Sequence, residues 1–550
     1  MAENLATVGQ RQGWRVEHQL YQSGLHEQPD FAGAEAADAV LVVFALRSVL
    51  GQVANQLLGY HDADLLYQKH LPPEAMTEAG RQVLVALCQQ FAQGLGGRVP
   101  TFFAAFVEPP PTSSGLFTPR QRTGIYHLVR SLNDALAEYL EGQGGQYFLE
   151  LNDLLRAHGD KWIYDGQRCC FAHAGLDRAP RRVRKQGAES VYTAISHRLE
   201  EMVQALAAQQ AIKLIITDLD NTLWKGVLAE EDQIVPGDHT EGWPIGYAEA
   251  LMECQRRGIL LAIASKNDEP RTRQHFQQVW YGRIRLEDFC SIQINWRPKS
   301  ENIAEILRQV NVLPEQVLFI DDNPLEIAEV QRAFPTLRVL TGDPHRWRQE
   351  LLYGVPFQVP RITAEAQQKT ALLQAKITRE AELGQTDRAG YLRDLQLQAE
   401  LVSVGEADER RFARALELLN KTNQFNTTGQ RWPEGALRDF VRGGGGLWAL
   451  LAQDRMIDHG LVGLGLVEAG QLRQMVLSCR VFGLGLEDCF LAALPEAEAG
   501  MRAAWADTGK NGTARQFLQR CFVEQGGEWR LVERLALPVH IRAALATAMN

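Results

Sequence analysis

The sequence has no C-x-x-C pair and no zinc spacing, although it holds eight cysteines in 550 residues. Neither a disulfide framework nor a structural zinc is expected. The thiols read as reduced and mostly buried. No apolar run approaches the roughly 18 residues of a spanning helix; the best is residues 39–46, AVLVVFAL. The opening MAENLATVGQRQGW lacks the apolar stretch of a secretory signal, so a cytoplasmic protein without a membrane contact is expected. Positive charge is in deficit, with 57 Lys and Arg against 67 Asp and Glu. A nucleic-acid partner held by bulk charge is therefore not expected. Internal repeats are absent. The composition, 45% hydrophobic and 23% charged, excludes a collagen, a coiled-coil rod and a disordered tail. At about 150 residues per domain, the length points to three or four domains.

What is present is an α/β pattern in four segments. Residues 1–205 combine the apolar run 39–46 with helical stretches at 76–95 and 126–140, and a strand-then-helix pattern at 146–155. Residues 206–362 alternate short apolar runs (KLIIT, ILLAIAS, QVLFI, LRVL) with amphipathic stretches. That alternation predicts a parallel sheet covered on both faces. Residues 363–400, rich in Ala, Glu, Gln, Leu and Arg, read as a helical connector. Residues 401–550 carry a long helix, a glycine run at 443–446 and strand candidates at 447–453 and 461–468. This last segment reads as α+β or α/β.

The strongest chemical signal is residues 213–223, KLIITDLDNTL. An apolar strand ends in Asp218 and Asp220, two residues apart. Active crevices of open parallel sheets lie beyond the carboxyl ends of their strands. Both carboxylates can therefore serve one crevice, with Asp218 attacking phosphorus and Asp220 acting as acid and then base. Mg2+ is expected, to screen like charges and an incoming phosphate. Three further parts follow in chain order: Ser265 ends the next strand, Lys299 supplies a fixed positive charge, and Asp321 and Asp322 end a third strand.

This pattern resembles the haloacid-dehalogenase-like phosphatase superfamily. The resemblance implies a Rossmannoid sheet, Asp218 as nucleophile and Asp220 as acid/base. It also implies that Asn221, Thr222, Ser265, Lys266, Asn267 and Lys299 line the phosphate site, with Asp218, Asp220, Asp321 and Asp322 at the metal. Only about 45 residues separate the first two motifs, so the core is expected to be nearly capless and open to a large or tethered substrate. The stretches DLDNTLWKGVLAEE, LAIASKNDE, WRPKSENI and FIDDNPLE are similar to the FkbH-like branch, as are LNKTNQFNTTGQRW and SCRVFGLG further on. Where that branch tends to show D-x-F-G-D-x-G, this chain has DRMIDHG at 454–460. The resemblance implies transfer of a glyceryl group from 1,3-bisphosphoglycerate, with loss of phosphate, to a phosphopantetheinylated acyl carrier protein in polyketide biosynthesis.

Cys479 is then the candidate thioester nucleophile, with Arg480 as a neighbouring cation. The alternative for Cys479 is a buried small hydrophobe. His459 is a weak candidate base and reads more readily as a loop or solvated histidine. Asn423, Gln424 and Asn426 would hold acyl or pantetheine amide groups, or else form a helix end and an Asx turn. The last segment is similar in layout to an N-acetyltransferase fold. Residues 1–205 are similar to a degenerate SGNH-hydrolase sheet, but hold no G-D-S near the start and no D-x-x-H near residue 200. Ser48 and His173 stand in no catalytic context, so a docking role is expected, with Arg181, Arg182, Arg184 and Lys185 suited to an acidic carrier. Three other readings stay open: a plain phosphatase, a scaffold that has lost activity, and an acyltransferase using coenzyme A.

Overall fold

The structure is a computed structural model. It describes residues 2–17, 31, 33–44, 46, 49, 73–97, 99–108, 125–141, 143–158, 189–208, 210–227, 235–362, 364–383, 388–526 and 528–545. Ser48, Cys169, Cys170, His173, Arg181, Arg182, Arg184 and Lys185 lie outside the described residues. Two compact units form: Met1–Val203 with Pro433–Asp439, and Gln204–Trp432 with Phe440–Asn550. Among the described residues, no helix is long and apolar enough to cross a membrane.

The first unit holds a parallel sheet of β1 (Val40–Val42), β2 (Thr101–Ala104) and β3 (Gln146–Leu149). Helices Pro73–Leu95 and Ile125–Glu141 enclose its core, in which Leu84, Phe103, Leu132 and Leu136 are fully buried. Among the described residues of the apolar run 39–46, only Val40–Val42 pair, against Thr101–Phe103. An apolar run specifies burial, whereas the length of a ladder is set by the partner strand.

The second unit contains two sheets. The first is parallel, in the order β6–β5–β4–β7–β8, from β4 (Leu214–Thr217), β5 (Leu260–Ser265), β6 (Ser291–Ile294), β7 (Val317–Ile320) and β8 (Arg338–Leu340). Its central strands are apolar at nearly every position because both faces are covered. Ile215, Leu261 and Ile263 join a cluster with Trp224, Tyr247, Trp280 and Trp347. Their alternate neighbours Leu214, Ile216, Ala262 and Ala264 face Ile303, Ile306, Val330 and Leu373. Three helices of this layer start at side-chain caps. Asp268, Asn323 and Asp343 each accept a backbone N–H from the first turn, with a proline at the first or second helical position.

The second sheet has eight strands, ordered β14–β15–β13–β12–β11–β10–β9–β16. They are β9 (Leu397–Ser403), β10 (Gly446–Gln453), β11 (Asp458–Glu468), β12 (Gln471–Leu477), β13 (Arg502–Ala503), β14 (Phe522–Gln525), β15 (Glu528–Leu531) and β16 (Ile541–Leu545). The β9–β12 run is antiparallel, whereas β16 lies parallel to β9. β9 corrects the reading of 363–400 as helix throughout. Helices Ala364–Leu383 and Arg388–Asp394 form as expected, but LQAELVS alternates buried and exposed side chains and becomes a strand. A period of two over seven residues outweighs the helix-rich composition that precedes it.

Candidate active site

The site grows from three neighbouring strand ends. β4 ends in Asp218, β5 in Ser265 and β7 in Asp321. The chain after Asp218 folds back tightly, with the N–H groups of Thr222, Leu223 and Trp224 all donating to the Leu219 carbonyl. Asn221 holds a left-handed conformation, φ 52°, and its side chain accepts from the Gly226 N–H at 2.9 Å. Asn221 thus closes this turn instead of reaching for substrate, as an Asx side chain does when it mimics backbone. Thr222 is fully buried, and its Oγ1 accepts from the Asp322 N–H at 3.2 Å. It positions Asp322 from behind.

Lys299, the first residue of the helix Lys299–Val310, reaches into the crevice. Its ammonium lies 3.0 Å from Asp218 Oδ2 and 2.5 Å from Asp321 Oδ2. Asp321 Oδ1 accepts from the Asn323 N–H at 2.9 Å. Asp218 Oδ1 is buried and has no hydrogen-bond partner among the described residues. Asp220 points elsewhere: Trp224 Nε1 donates to its Oδ1 at 2.8 Å, and Asn267 Nδ2 to its Oδ2 at 3.0 Å. The same Asn267 amide reaches Ser265 Oγ at 3.1 Å. Lys266 pairs with Glu326 at 2.6 Å.

Asp218, Asp321 and Asp322 each offer a carboxylate oxygen, all within 4.8 Å of one another. One ammonium does not neutralise three carboxylates. Burial first, then the charge of Asp218, push Asp321 up to about 7 against the pull of Lys299. The same two causes raise Asp322. Burial works against the Lys299 ammonium, but Asp218 and Asp321 hold its pKa above the ordinary range. Hard oxygen donors and an excess of negative charge fit Mg2+. The Asp220 carboxylate stands outside this donor group.

Sequence reasoning missed Trp224 and Tyr247. The Tyr247 hydroxyl donates to Thr217 Oγ1 at 2.9 Å, just behind Asp218. A tryptophan four residues past the acid/base candidate was a usable signal, since a buried indole N–H needs an acceptor.

The C-terminal candidates fall differently. Asn426 is fully buried; its Oδ1 accepts from Gln474 Nε2 and from the N–H groups of Thr428 and Gly429. Gln424 exchanges two amide hydrogen bonds with Asn311, at 2.9 and 3.0 Å. Asn423 accepts from Arg431. These amides tie the chain to itself, which corrects the expectation that they hold a ligand. Arg480 is buried, and its Nη2 donates to the carbonyls of His459 and Leu461 at 2.7 and 2.9 Å. It braces β11, and so departs from its expected role as a substrate binder. His459 is neither on a loop nor solvated: it lies buried in β11 with Nε2 2.9 Å from Asp454 Oδ2. Cys479 is half-buried at the start of the turn Cys479–Val481.

No protein-family model matches the chain, and no curated protein matches it. Among solved structures, it is similar to the N-terminal part of protein BF1531 from Bacteroides fragilis, which contains a phosphatase domain complexed with Mg. That likeness has 18% identity and a TM-score of 0.44, and covers 65% of this chain and 90% of that one. It is also similar to the cobalt-bound deoxy-D-mannose-octulosonate 8-phosphate phosphatase from Haemophilus influenzae. There the identity is 16% and the TM-score 0.20, over 34% of this chain and 98% of that one.

Proposed function

We propose that the chain is a Mg2+-dependent phosphatase with Asp218 as its nucleophile. We further propose that it passes a glyceryl group from 1,3-bisphosphoglycerate to the phosphopantetheine thiol of an acyl carrier protein. The observation that carries the first reading is the state of Asp218. Lys299 fixes Oδ2 at 3.0 Å, and Oδ1 is buried without a hydrogen-bond partner among the described residues. Oδ1 is the oxygen left to attack phosphorus. As the new P–O bond forms, the bond to the leaving alcohol breaks and Asp220 gives that oxygen its proton. Asp220 then takes a proton from the water that hydrolyses the aspartyl phosphate. Trp224 and Asn267 hold Asp220 in place for both steps. Ser265 Oγ accepts from Asn267, and its own hydrogen would serve a phosphoryl oxygen. Asp218, Asp321 and Asp322 would hold the ion, which when bound screens their like charges and the phosphate of the substrate.

The acyl transfer rests on the FkbH-like motifs and on the half-buried Cys479. The thiolate would attack the acyl phosphate carbon, forming C–S and breaking C–O, with inorganic phosphate leaving. The carrier thiol would then take the acyl group by thioester exchange. A plain phosphatase is the second reading. It is favoured by the internal bonding of Asn423, Gln424, Asn426 and Arg480. The two separate when the protein is mixed with 1,3-bisphosphoglycerate, Mg2+ and a phosphopantetheinylated carrier, and both proteins are weighed. A glyceryl mass on the carrier, lost in Cys479→Ala, supports transfer. Mg2+-dependent phosphate release without that mass leaves the plain phosphatase.

A further inference from the structure

Lys213 immediately precedes β4, and Asp218 immediately follows it. At about 3.3 Å per residue their backbones stand roughly 16 Å apart, at opposite ends of the strand. Around Lys213 gathers a set of cations that the carboxylate crevice does not use. Lys213 Nζ donates to the Lys421 carbonyl at 3.3 Å. Arg431 Nη1 donates to the carbonyls of Leu419 and Thr422. Lys369 Nζ donates to the Gly258 carbonyl at 2.9 Å. Lys421 pairs with Glu417 at 3.0 Å and Lys510 with Glu315 at 2.8 Å. Among the described residues, neither Lys213 nor Lys369 meets a carboxylate at ion-pair distance. Burial first brings Lys213 down to about 8, opposed by its neighbour Cys479 and reinforced by the charges of Lys421, Arg431 and Lys510. Burial brings Lys369 down to about 7 in the same field. The cysteine enters because its turn packs on the helix Ala364–Leu383, which carries Lys369.

A structural explanation exists and falls short. Lys213, Lys421 and Arg431 meet at the C-terminus of the helix Glu409–Lys421, where free carbonyls favour cations. A helix end carries about half a negative charge, and Glu417 is shared between Lys421 and Arg414. Positive charge remains in excess in a half-buried place, where an unpaired ion is costly.

We propose that Lys213, Lys421 and Arg431, beside Cys479, form a second anion site for a phosphate-bearing ligand, at the far end of β4 from Asp218. It holds a phosphate without hydrolysing it, since the one triad of metal-ligating carboxylates among the described residues lies at Asp218. The same chemistry serves a small phosphate ester or the phosphodiester of a phosphopantetheine arm. The site stands independently of the phosphatase reading.

The test reads Cys479 directly. The full-length protein is alkylated with iodoacetamide, and the Cys479 peptide is followed by mass. Inorganic phosphate should slow its alkylation saturably, and potassium chloride of equal ionic strength should not. The half-protecting concentration should rise at least ten-fold in Lys213→Met and stay near wild type in Lys213→Arg. Should Lys213→Met misfold, Lys421→Met carries the same expectation. Phosphopantetheine protecting at ten-fold lower concentration than inorganic phosphate would identify the arm as ligand; equal protection would identify a small phosphate. Protection equal in chloride, or unchanged in both methionine variants, overturns the site. That failure would leave the phosphatase reading untouched, because the assay does not measure phosphate release.

Discussion

Asp218→Asn separates a catalytic carboxylate from a structural one. The side chain keeps its size, and the amide oxygen still accepts from Lys299. What changes is charge. The Lys299–Asp218 attraction at 3.0 Å is worth about 5.5 kcal/mol at an effective dielectric of about 20. Against it stand repulsions from Asp321 and Asp322 when both are ionised, their oxygens lying within 4.8 Å, at about 3.5 kcal/mol each on the same scale. The terms nearly cancel, with a slight balance toward the amide. The variant should therefore melt within about 5 °C of wild type in divalent-free buffer, a change of roughly 2 kcal/mol or less. Mg2+ at a hundred times its dissociation constant should stabilise wild type by about 2.7 kcal/mol and the variant by clearly less. Release of inorganic phosphate, followed colorimetrically, should fall ~10³-fold or more, as when a nucleophile is removed. Retained phosphate release would remove Asp218 from the mechanism. Loss of activity together with a melt lowered by tens of degrees would refute the charge balance and leave the role of Asp218 structural.

Two further substitutions probe the supports of the site. Trp224→Phe removes the indole N–H from Asp220 while keeping most of the packing, and should cost about 1–2 kcal/mol of stability. Its activity loss should be larger for alkyl phosphates than for p-nitrophenyl phosphate, because only the poor leaving group needs the Asp220 proton; equal losses would refute that role. Glu417→Gln breaks a buried pair with Arg414 at 2.6 Å, expected to cost about 3–5 kcal/mol near pH 7. Burial raises the Glu417 pKa, but Arg414, Lys421 and Lys369 outweigh it and hold the group well below the usual carboxylate range. The stability it contributes is full above the unfolded pKa of about 4.3 and is lost as pH falls toward the folded value. The gap between wild type and Glu417→Gln in urea melts should thus narrow below roughly pH 4; a constant gap would contradict it.

The carboxylate crevice was legible in the chain because its signals are local. Short apolar runs make buried parallel strands, and residues at their carboxyl ends share one edge whatever the loops do. Asp218, Ser265 and Asp321 were expected at strand ends on that ground alone. Local pattern also carried β9, in the alternation of LQAELVS, although composition obscured it. Which polar group a side chain meets is not local. Only the fold decided that the Asp220 carboxylate turns to Trp224 and Asn267 and away from the metal-binding oxygens. The fold likewise committed Gln424 to Asn311 and Arg480 to the β11 backbone, since buried polar groups must be satisfied by whatever packs against them. Lys213 and Cys479 lie far apart in sequence and carry no shared motif. Their nearness depends on how the turn Cys479–Val481 packs on the helix Ala364–Leu383, and that packing, with the charge it gathers, is a property of the tertiary structure.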